Sequence, residues 1–511
     1  MTEQQSAVRP QEFSYPPMQT TGLIGRFGGM DLAFFAAAVG VLVLGLNLLP
    51  QWGYLIAAAV VSLLLAVIPL PRPGGRGLTQ YIGPAIGAVR DKLTGRGVYR
   101  GAVFAPGAME YRMDLPGDLA GLRMIAVPTQ DGISRIGLLI DESKRSRTAT
   151  AAMLTFGESM VTADEATRSR RLDGWESIMN AWCQRGSGVS RFQLMIRTAP
   201  DVINDAARHV HANGLITKGV VWENTRALIT GPATRAARHE VYLVVELDLQ
   251  RLAGAIESVD RKWSDEAIGA AARDLLVEIQ QSLQEEKITA PNTENGWLRP
   301  GQYAALIHTQ FDPDSLPLHD MLASPDQDLD PRLAGPSASE RNWKLYRHDS
   351  GVSCTLWCNE LPKTPVHSGW LRPVLTQTGV LRTVSLVSQP LNTQAATEQL
   401  RKQVDGAEGE KEHKRRRGVF VSSRVQREAN AARDQEAAVS AGDGFFRYHL
   451  FVTVTAADEA ALKRNVMSVQ RRLTKAGCQA MVLYGEQDQA FFASALPLAR
   501  GLAPLRGLQK I

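Results

Sequence analysis

The sequence predicts an α+β protein: an amino-terminal transmembrane helical hairpin, then a cytosolic mixed α/β body with a small β unit, β-α-β units and a helical insertion. Three observations predict it. Residues 32–49 and 54–70 are apolar and lie four residues apart, and about 17–20 apolar residues suffice to cross a bilayer core. Residues 240–249 (EVYLVVELDL) and 447–455 (RYHLFVTVT) are rich in the β-branched residues that strands favour. Residues 395–439 turn polar and rich in Ala, Glu, Gln and Arg, a composition that favours helix.

Taken in order, residues 1–30 show no periodic pattern and predict a mobile cytoplasmic tail. Residues 31–71 hold the hairpin. Its first stretch has Asn47 as the one strongly polar side chain, its second has Ser62, and Pro50-Gln51-Trp52-Gly53 supplies the turn. Arg26 precedes the hairpin; Arg72, Arg76, Arg90, Lys92, Arg96 and Arg100 follow it against Asp91 alone. Cationic flanks stay on the cytoplasmic side, so the expected placement is a two-pass protein of the cell inner (plasma) membrane with both termini and the body inside. Residues 72–119 form a basic juxtamembrane linker, amphipathic over 83–93, that is able to lie against the lipid bilayer.

Residues 120–162 predict a small β unit, with short strands at 122–127, 135–140 and 148–155. Residues 163–394 predict an α+β body. Its first helix spans 162–184, with Thr162 and Asp164 as capping residues and Leu172, Trp175, Ile178, Met179 and Trp182 on one face. A strand at 191–196, a helix from Pro200-Asp201 to about Asn213, the strand at 240–249 and helices at 264–286 and 300–310 follow. Residues 312–340 read as an exposed loop, and 351–358 and 380–387 as strands. Residues 395–446 are the charged helical insertion. Residues 447–511 close the chain with strand 447–455, helix 457–476 and strand 478–484, a β-α-β unit that argues for a sheet covered by helices.

Composition limits the function classes. Hydrophobic residues make up 44% and charged residues 21% of the 511, as in globular chains, and the net charge of +5 is concentrated beside the hairpin and in one local run. The chain contains no G-x-x-x-x-G-K-[ST] phosphate loop and no G-x-S-x-G elbow. Cys354 and Cys358 lie three residues apart without the second pair or histidines that a zinc site needs. His209 and His211 are two apart, which places them on different faces of a helix. His348-Asp349-Ser350 holds the residue types of a catalytic triad, but neighbours in sequence rarely converge on one atom. The acid at the end of 243–248 resembles that of a magnesium-site strand, but such a segment alone is far more often a core strand. No catalytic, cofactor-binding or metal residue is therefore assigned. Lys414-Arg415-Arg416-Arg417 is able to contact nucleic acid, an acidic partner or lipid, and is equally a solvated surface offset by Glu408, Glu410, Glu412 and Glu428.

The order of motifs carries a resemblance. IGLLID (136–141), LDGWESIMNAWCQRGSGVSRFQLMIRTAPD (172–201), EVYLVVELDL (240–249), WLRPGQYAALIHTQFDPDS (297–315), HLFVTVTAADEAALKRNVMSVQRRL (449–473) and EQDQAFFASALPLARGL (486–502) follow one another. This succession resembles the amino-terminal region of the assembly ATPases of type IV secretion and conjugation systems, in which a Leu-Pro-Leu stretch, here Leu496-Pro497-Leu498, precedes the motor. The apolar pair resembles the two-helix inner-membrane subunit that partners that ATPase, and the whole layout resembles an actinobacterial conjugative-element membrane protein family. The chain stops at Ile511, where a motor would begin. The resemblance thus implies a non-enzymatic inner-membrane scaffold or anchor of a conjugative, type IV-like DNA or protein transfer machine. Its expected partners are a separate motor ATPase and other membrane subunits, and self-association is expected by analogy with ring-shaped machines. The alternatives are a membrane core subunit of type VII secretion and a membrane-tethered enzyme.

Overall fold

The computed structural model of the chain describes residues 12–13, 15, 29–48, 52–67, 79–95, 97–101, 113–129, 135–141, 147–155, 163–200, 218–230, 237–252, 264–289, 296–316, 329–416 and 423–501. Its strands are β1 (Glu12–Phe13), β2 (Val98–Arg100), β3 (Leu122–Pro128), β4 (Arg135–Asp141), β5 (Thr148–Leu154), β6 (Val189–Pro200), β7 (Ala237–Asp248), β8 (Ala338–Arg341), β9 (Tyr346–His348), β10 (Gly351–Glu360), β11 (Val366–His367), β12 (Leu381–Leu391), β13 (Phe445–Ala456) and β14 (Gln479–Val482). Its main helices are α1 (Gly29–Leu48), α2 (Trp52–Val67), α3 (Thr79–Thr94), α4 (Glu165–Trp182), α5 (Val220–Thr230), α6 (Asp265–Glu285), α7 (Pro300–Phe311), α8 (Thr393–Arg416), α9 (Ser423–Ala441), α10 (Glu459–Lys475) and α11 (Gln487–Ser494).

The helices begin where the sequence offers caps. The Asp164 side chain accepts from the Thr167 N–H, Ser264 from Ala267, and Asp458 from Ala461, each satisfying a first-turn donor that has no partner inside its helix. Pro300 opens α7 at a position where its missing N–H is no loss.

Twelve strands form one sheet in the order β2-β8-β9-β10-β13-β12-β6-β7-β5-β4-β3, with β14 beside β10. Strands β3 to β5 are thus one end of this continuous sheet. Side chains of β7 alternate between two cores. Leu243, Val245 and Leu247 pack with α4 and α6, through Ile178, Trp182, Leu276 and Ile279. Tyr242 and Val244 pack on the opposite face with α7 and the segment after α11, through Tyr303, Ile307, Leu496 and Leu498. Farther along, Leu450, Val452 and Val454 of β13 meet Leu462, Val466 and Val469 of α10. Both faces of the sheet are therefore covered.

The transmembrane hairpin is corrected. The two apolar stretches do form α1 and α2, and they pack on each other: Ser62 Oγ donates to the Ala38 carbonyl at 2.8 Å. Among the described residues, however, no helix is long and apolar enough to cross a membrane. The 16 residues of α2 rise about 24 Å, against about 30 Å of hydrocarbon. In α1 the uninterrupted apolar run between Asp31 and Asn47 rises only about 22 Å. The expected two-pass placement in the cell inner membrane rested on those spans and is corrected with them. Leu44, Leu46, Ile56, Leu63 and Leu64 remain exposed on the pair.

The β-α-β expectation fails at β6 and β7, while at the end of the chain α10 does link two parallel strands. β6 and β7 pair antiparallel along their length, from Val189↔Leu247 to Pro200↔Ala237. β13 and β14 each run antiparallel to β10, on its two opposite edges, so they are parallel to one another with β10 between them. Uninterrupted apolar strands suggest a parallel sheet because such sheets are buried on both faces. Here an antiparallel sheet is buried on both faces and produces the same pattern.

Of the amino-terminal tail, the described residues meet the body: β1 pairs with β11, and the Tyr15 hydroxyl accepts from Trp370 Nε1 at 3.1 Å. His209, His211 and the helix expected after Pro200 lie outside the described residues.

Candidate interaction surface

Consecutive residues of His348-Asp349-Ser350 go to three places. His348, at the end of β9, is buried, with Nδ1 2.5 Å from the Phe311 carbonyl and Nε2 2.8 Å from Ser353 Oγ. A carbonyl only accepts, so Nδ1 carries the proton and Nε2 accepts from Ser353. Burial lowers the His348 pKa to about 4, outweighing the hydrogen bond to Phe311, which raises it. The Asp349 carboxylate accepts from the backbone of Ser337 and Ala338 at 2.9 and 3.0 Å. Ser350 donates to Asp312. These groups hold turns together and face no common space.

The acids at the end of the apolar strand are also engaged within the fold, Glu246 buried and Asp248 half-buried. Glu246 accepts from Ser190 Oγ at 2.6 Å and lies 3.5 Å from Arg191. Asp248 receives the Gln250 N–H at 3.0 Å and pairs with Arg251. Trp175 and Trp182 pack edge to face with ring centroids 5.8 Å apart, and Phe192 completes the cluster. Cys354 and Cys358 are buried free thiols; Cys358 is hydrogen-bonded to Cys478. Among the described residues no three His, Cys, Asp or Glu side chains converge as a metal would require.

The Leu-Pro-Leu stretch sits on the opposite face of the sheet, held by a polar seam that sequence reading misses. Gln193 of β6 is its centre. Its Nε2 lies 3.1 Å from Ser385 Oγ and 3.2 Å from the carbonyls of both Ser494 and Leu496, and its Oε1 accepts from the Ala499 N–H at 2.9 Å. Ser385 Oγ donates to the Ser494 carbonyl, and Thr453 Oγ1 to Ser494 Oγ. Tyr303 donates to the Pro497 carbonyl at 2.5 Å. Gln487 clamps β10 through the Thr355 N–H and carbonyl. Arg500 then pairs with Asp141 of β4. The sole local signal is Ser and Thr at alternate positions, 353 and 355 in β10, 453 and 455 in β13. That pattern normally marks a strand face turned to water.

The charged insertion is an antiparallel pair, α8 and α9. It packs on itself through the buried Ala429 and Ala432 and is tied across by Arg433 to Glu408. Its root is a small apolar cluster of Ala396, Leu400 and Val439 against Leu391 and Phe445, with Arg185 of the body donating to Gln394 at 3.0 Å. The 24 residues of α8 extend about 36 Å. Of the run singled out in the sequence, Arg415 and Arg416 are exposed at the far end of α8, and Arg416 Nε donates to Glu412 at 3.1 Å. Arg417 lies outside the described residues.

Compared with known proteins, the chain matches no family model and no curated protein.

Proposed function

We propose that the chain is a non-enzymatic docking subunit of a conjugative, type IV-like transfer machine, working beside a separate motor ATPase. The observation that carries this reading is the α8–α9 arm. Its helices bury small alanines against each other and join the body at their root, so the arm adds little to the core of the sheet. A charged, self-packed extension of this kind is suited to contact with another molecule. Two further features support it. The side chains with catalytic potential, His348, Ser353, Ser385 and Ser494, have their hydrogen bonds inside the fold. The sequence also contains no phosphate loop, so the backbone amides and lysine that cradle a nucleotide triphosphate are not present in that form. The motif order from residue 136 to 502 resembles the motor-associated region of the conjugation ATPases and supplies the identity of the machine.

The test is purification of the tagged full-length chain from its native cell under mild conditions, with mass spectrometry of what stays bound. A P-loop ATPase retained in fixed proportion is the expected result. A chain that purifies alone after chemical crosslinking in the cell would contradict the proposal.

A further inference from the structure

Helix α10 turns two unlike stripes to its surroundings. Leu462, Val466, Val469 and Leu473 are buried against Leu450, Val452 and Val454 of β13. The opposite stripe, Ala460, Arg464, Met467, Arg471 and Lys475, recurs at steps of three and four and is exposed along its whole length. Lys463, also exposed, flanks this stripe on one side. Arg472 flanks it on the other and donates to the Pro373 carbonyl at 3.0 Å. That bond brings up the short helix Arg372–Leu375, on which Arg372 is exposed.

The two segments that build this surface carry no acid. Residues 460–485 hold Lys463, Arg464, Arg471, Arg472 and Lys475, and residues 361–397 hold Lys363, Arg372 and Arg382. Among the described residues, Lys463, Arg464, Arg471, Lys475 and Arg372 have no ion-pair partner. Acids close by in sequence are engaged elsewhere. Asp458 caps α10, Glu459 pairs with Arg347, and Glu360 pairs with Lys363. β1 sets Glu12 opposite His367, which leaves the cations well in excess. Helix stability does not call for this arrangement. Arg472 and Lys475, in the last turn, suit the negative end of the helix dipole. Lys463 and Arg464 lie toward the other end, and Arg471 and Lys475, four residues apart, repel one another. A merely solvated helix face carries both signs along its length.

We propose that this ridge, Lys463, Arg464, Arg471 and Lys475 of α10 with Arg372 beside them, binds the phosphate backbone of nucleic acid without regard to sequence. It uses no residue of the α8–α9 arm and does not depend on what the arm contacts. From Lys463 to Lys475 the ridge runs about 18 Å along a single straight helix. A rigid row of one sign is neutralised best by a linear polyanion, and duplex DNA presents about one negative charge per 1.7 Å of axis. Arginine adds bidentate pairing with phosphate oxygens. The centre of a protein–protein interface is instead poor in lysine and anchored by large apolar or aromatic side chains. On this stripe Met467, 44% exposed, is the one large apolar side chain. A helix that lies on a membrane keeps an apolar face to insert, whereas the apolar face of α10 is already buried on β13.

The experiment measures anisotropy of a labelled duplex and a labelled single strand, each of arbitrary sequence, with the full-length chain across a salt series. Phosphatidylserine vesicles are assayed by co-sedimentation in parallel. The wild-type chain is expected to bind both nucleic acids, with an affinity that falls steeply as salt rises. The fourfold variant K463Q/R464Q/R471Q/K475Q is expected to lose at least about tenfold in affinity. Its slope of log affinity against log salt for duplex should shrink by about 3–4, since each neutralised phosphate contributes about 0.9. Glutamine is close to lysine and arginine in helix propensity, so the thermal midpoint by circular dichroism should stay in place. The variant R464K/R471K keeps the charge and is expected to keep most of the slope, which separates a phosphate contact from damage to the fold. An unchanged slope in the glutamine variant overturns the proposal, as does binding to vesicles without binding to either nucleic acid. A glutamine variant that still binds DNA as the wild type does but no longer retains the ATPase assigns the ridge to protein contact and overturns it as well. Retention of the ATPase by the wild-type chain is read separately, so the docking reading and this one can each fail while the other holds.

Discussion

The seam beneath α11 and the α8–α9 arm are both rich in polar side chains, and they use them in opposite ways. In the seam, Gln193, Ser385, Thr453, Ser494 and Gln487 are buried and bonded to one another or to backbone. Each has traded water for a fixed partner, and removing one partner strands the others in a dry place. In the arm, charged groups such as Arg433 and Glu408 face water and can return to it. Polar content alone therefore does not tell which part of a chain is built for contact; the state of its partners does. The seam is structural cement that fixes the Leu-Pro-Leu segment across the sheet, whereas the arm is free to meet something else.

The sharpest way to break this contrast is Gln193→Ala. It leaves the Leu496 carbonyl and the Ala499 N–H without the side chain that serves them, at about 1–3 kcal/mol for each stranded group. A total loss of about 3–5 kcal/mol is expected from urea unfolding monitored by circular dichroism. Next in size is the pH response of His348. Burial holds its folded-state pKa near 4, below an unfolded value of about 6.5. Between those values the unfolded chain binds the extra proton. The contribution is therefore whole above pH 6.5 and is lost as pH falls toward 4, by about 3 kcal/mol. Urea titrations across that window should show the decline, and His348→Gln should flatten it.

Smaller still is Asp458→Ala, which removes the cap on the Ala461 N–H. It should cost about 1 kcal/mol, read as a drop in the unfolding midpoint. At the bottom, Arg433→Ala in the arm should cost no more than about 0.5 kcal/mol, the usual worth of an exposed ion pair. If differential scanning calorimetry found Arg433→Ala as damaging as Gln193→Ala, the arm would belong to the core and the contrast would be lost.

Local signals in the sequence are borne out at particular residues. Asp164 marks a helix start, as expected of a capping residue, because a cap satisfies a donor within a few residues of itself. Strand and helix turn out close to their expected limits, as in β7 and α6. What is not legible depends on partners far along the chain. Gln193 meets Ala499 across 306 residues, and no local pattern announces it. The alternating Ser and Thr of β10 and β13 suggest a wet face, yet α11 and the segment after it cover them. Apolar composition likewise suggested spans at α1 and α2, where the length of uninterrupted apolar helix decides otherwise.

The central claim is that the body serves contact and carries out no turnover of its own. Steady-state nucleotide hydrolysis by the purified full-length chain, with and without the motor ATPase proposed as its partner, tests it most directly. The account predicts no hydrolysis by the chain alone and saturable hydrolysis once the ATPase is present. Saturable hydrolysis by the chain alone, abolished by a single substitution in its own body, would contradict it.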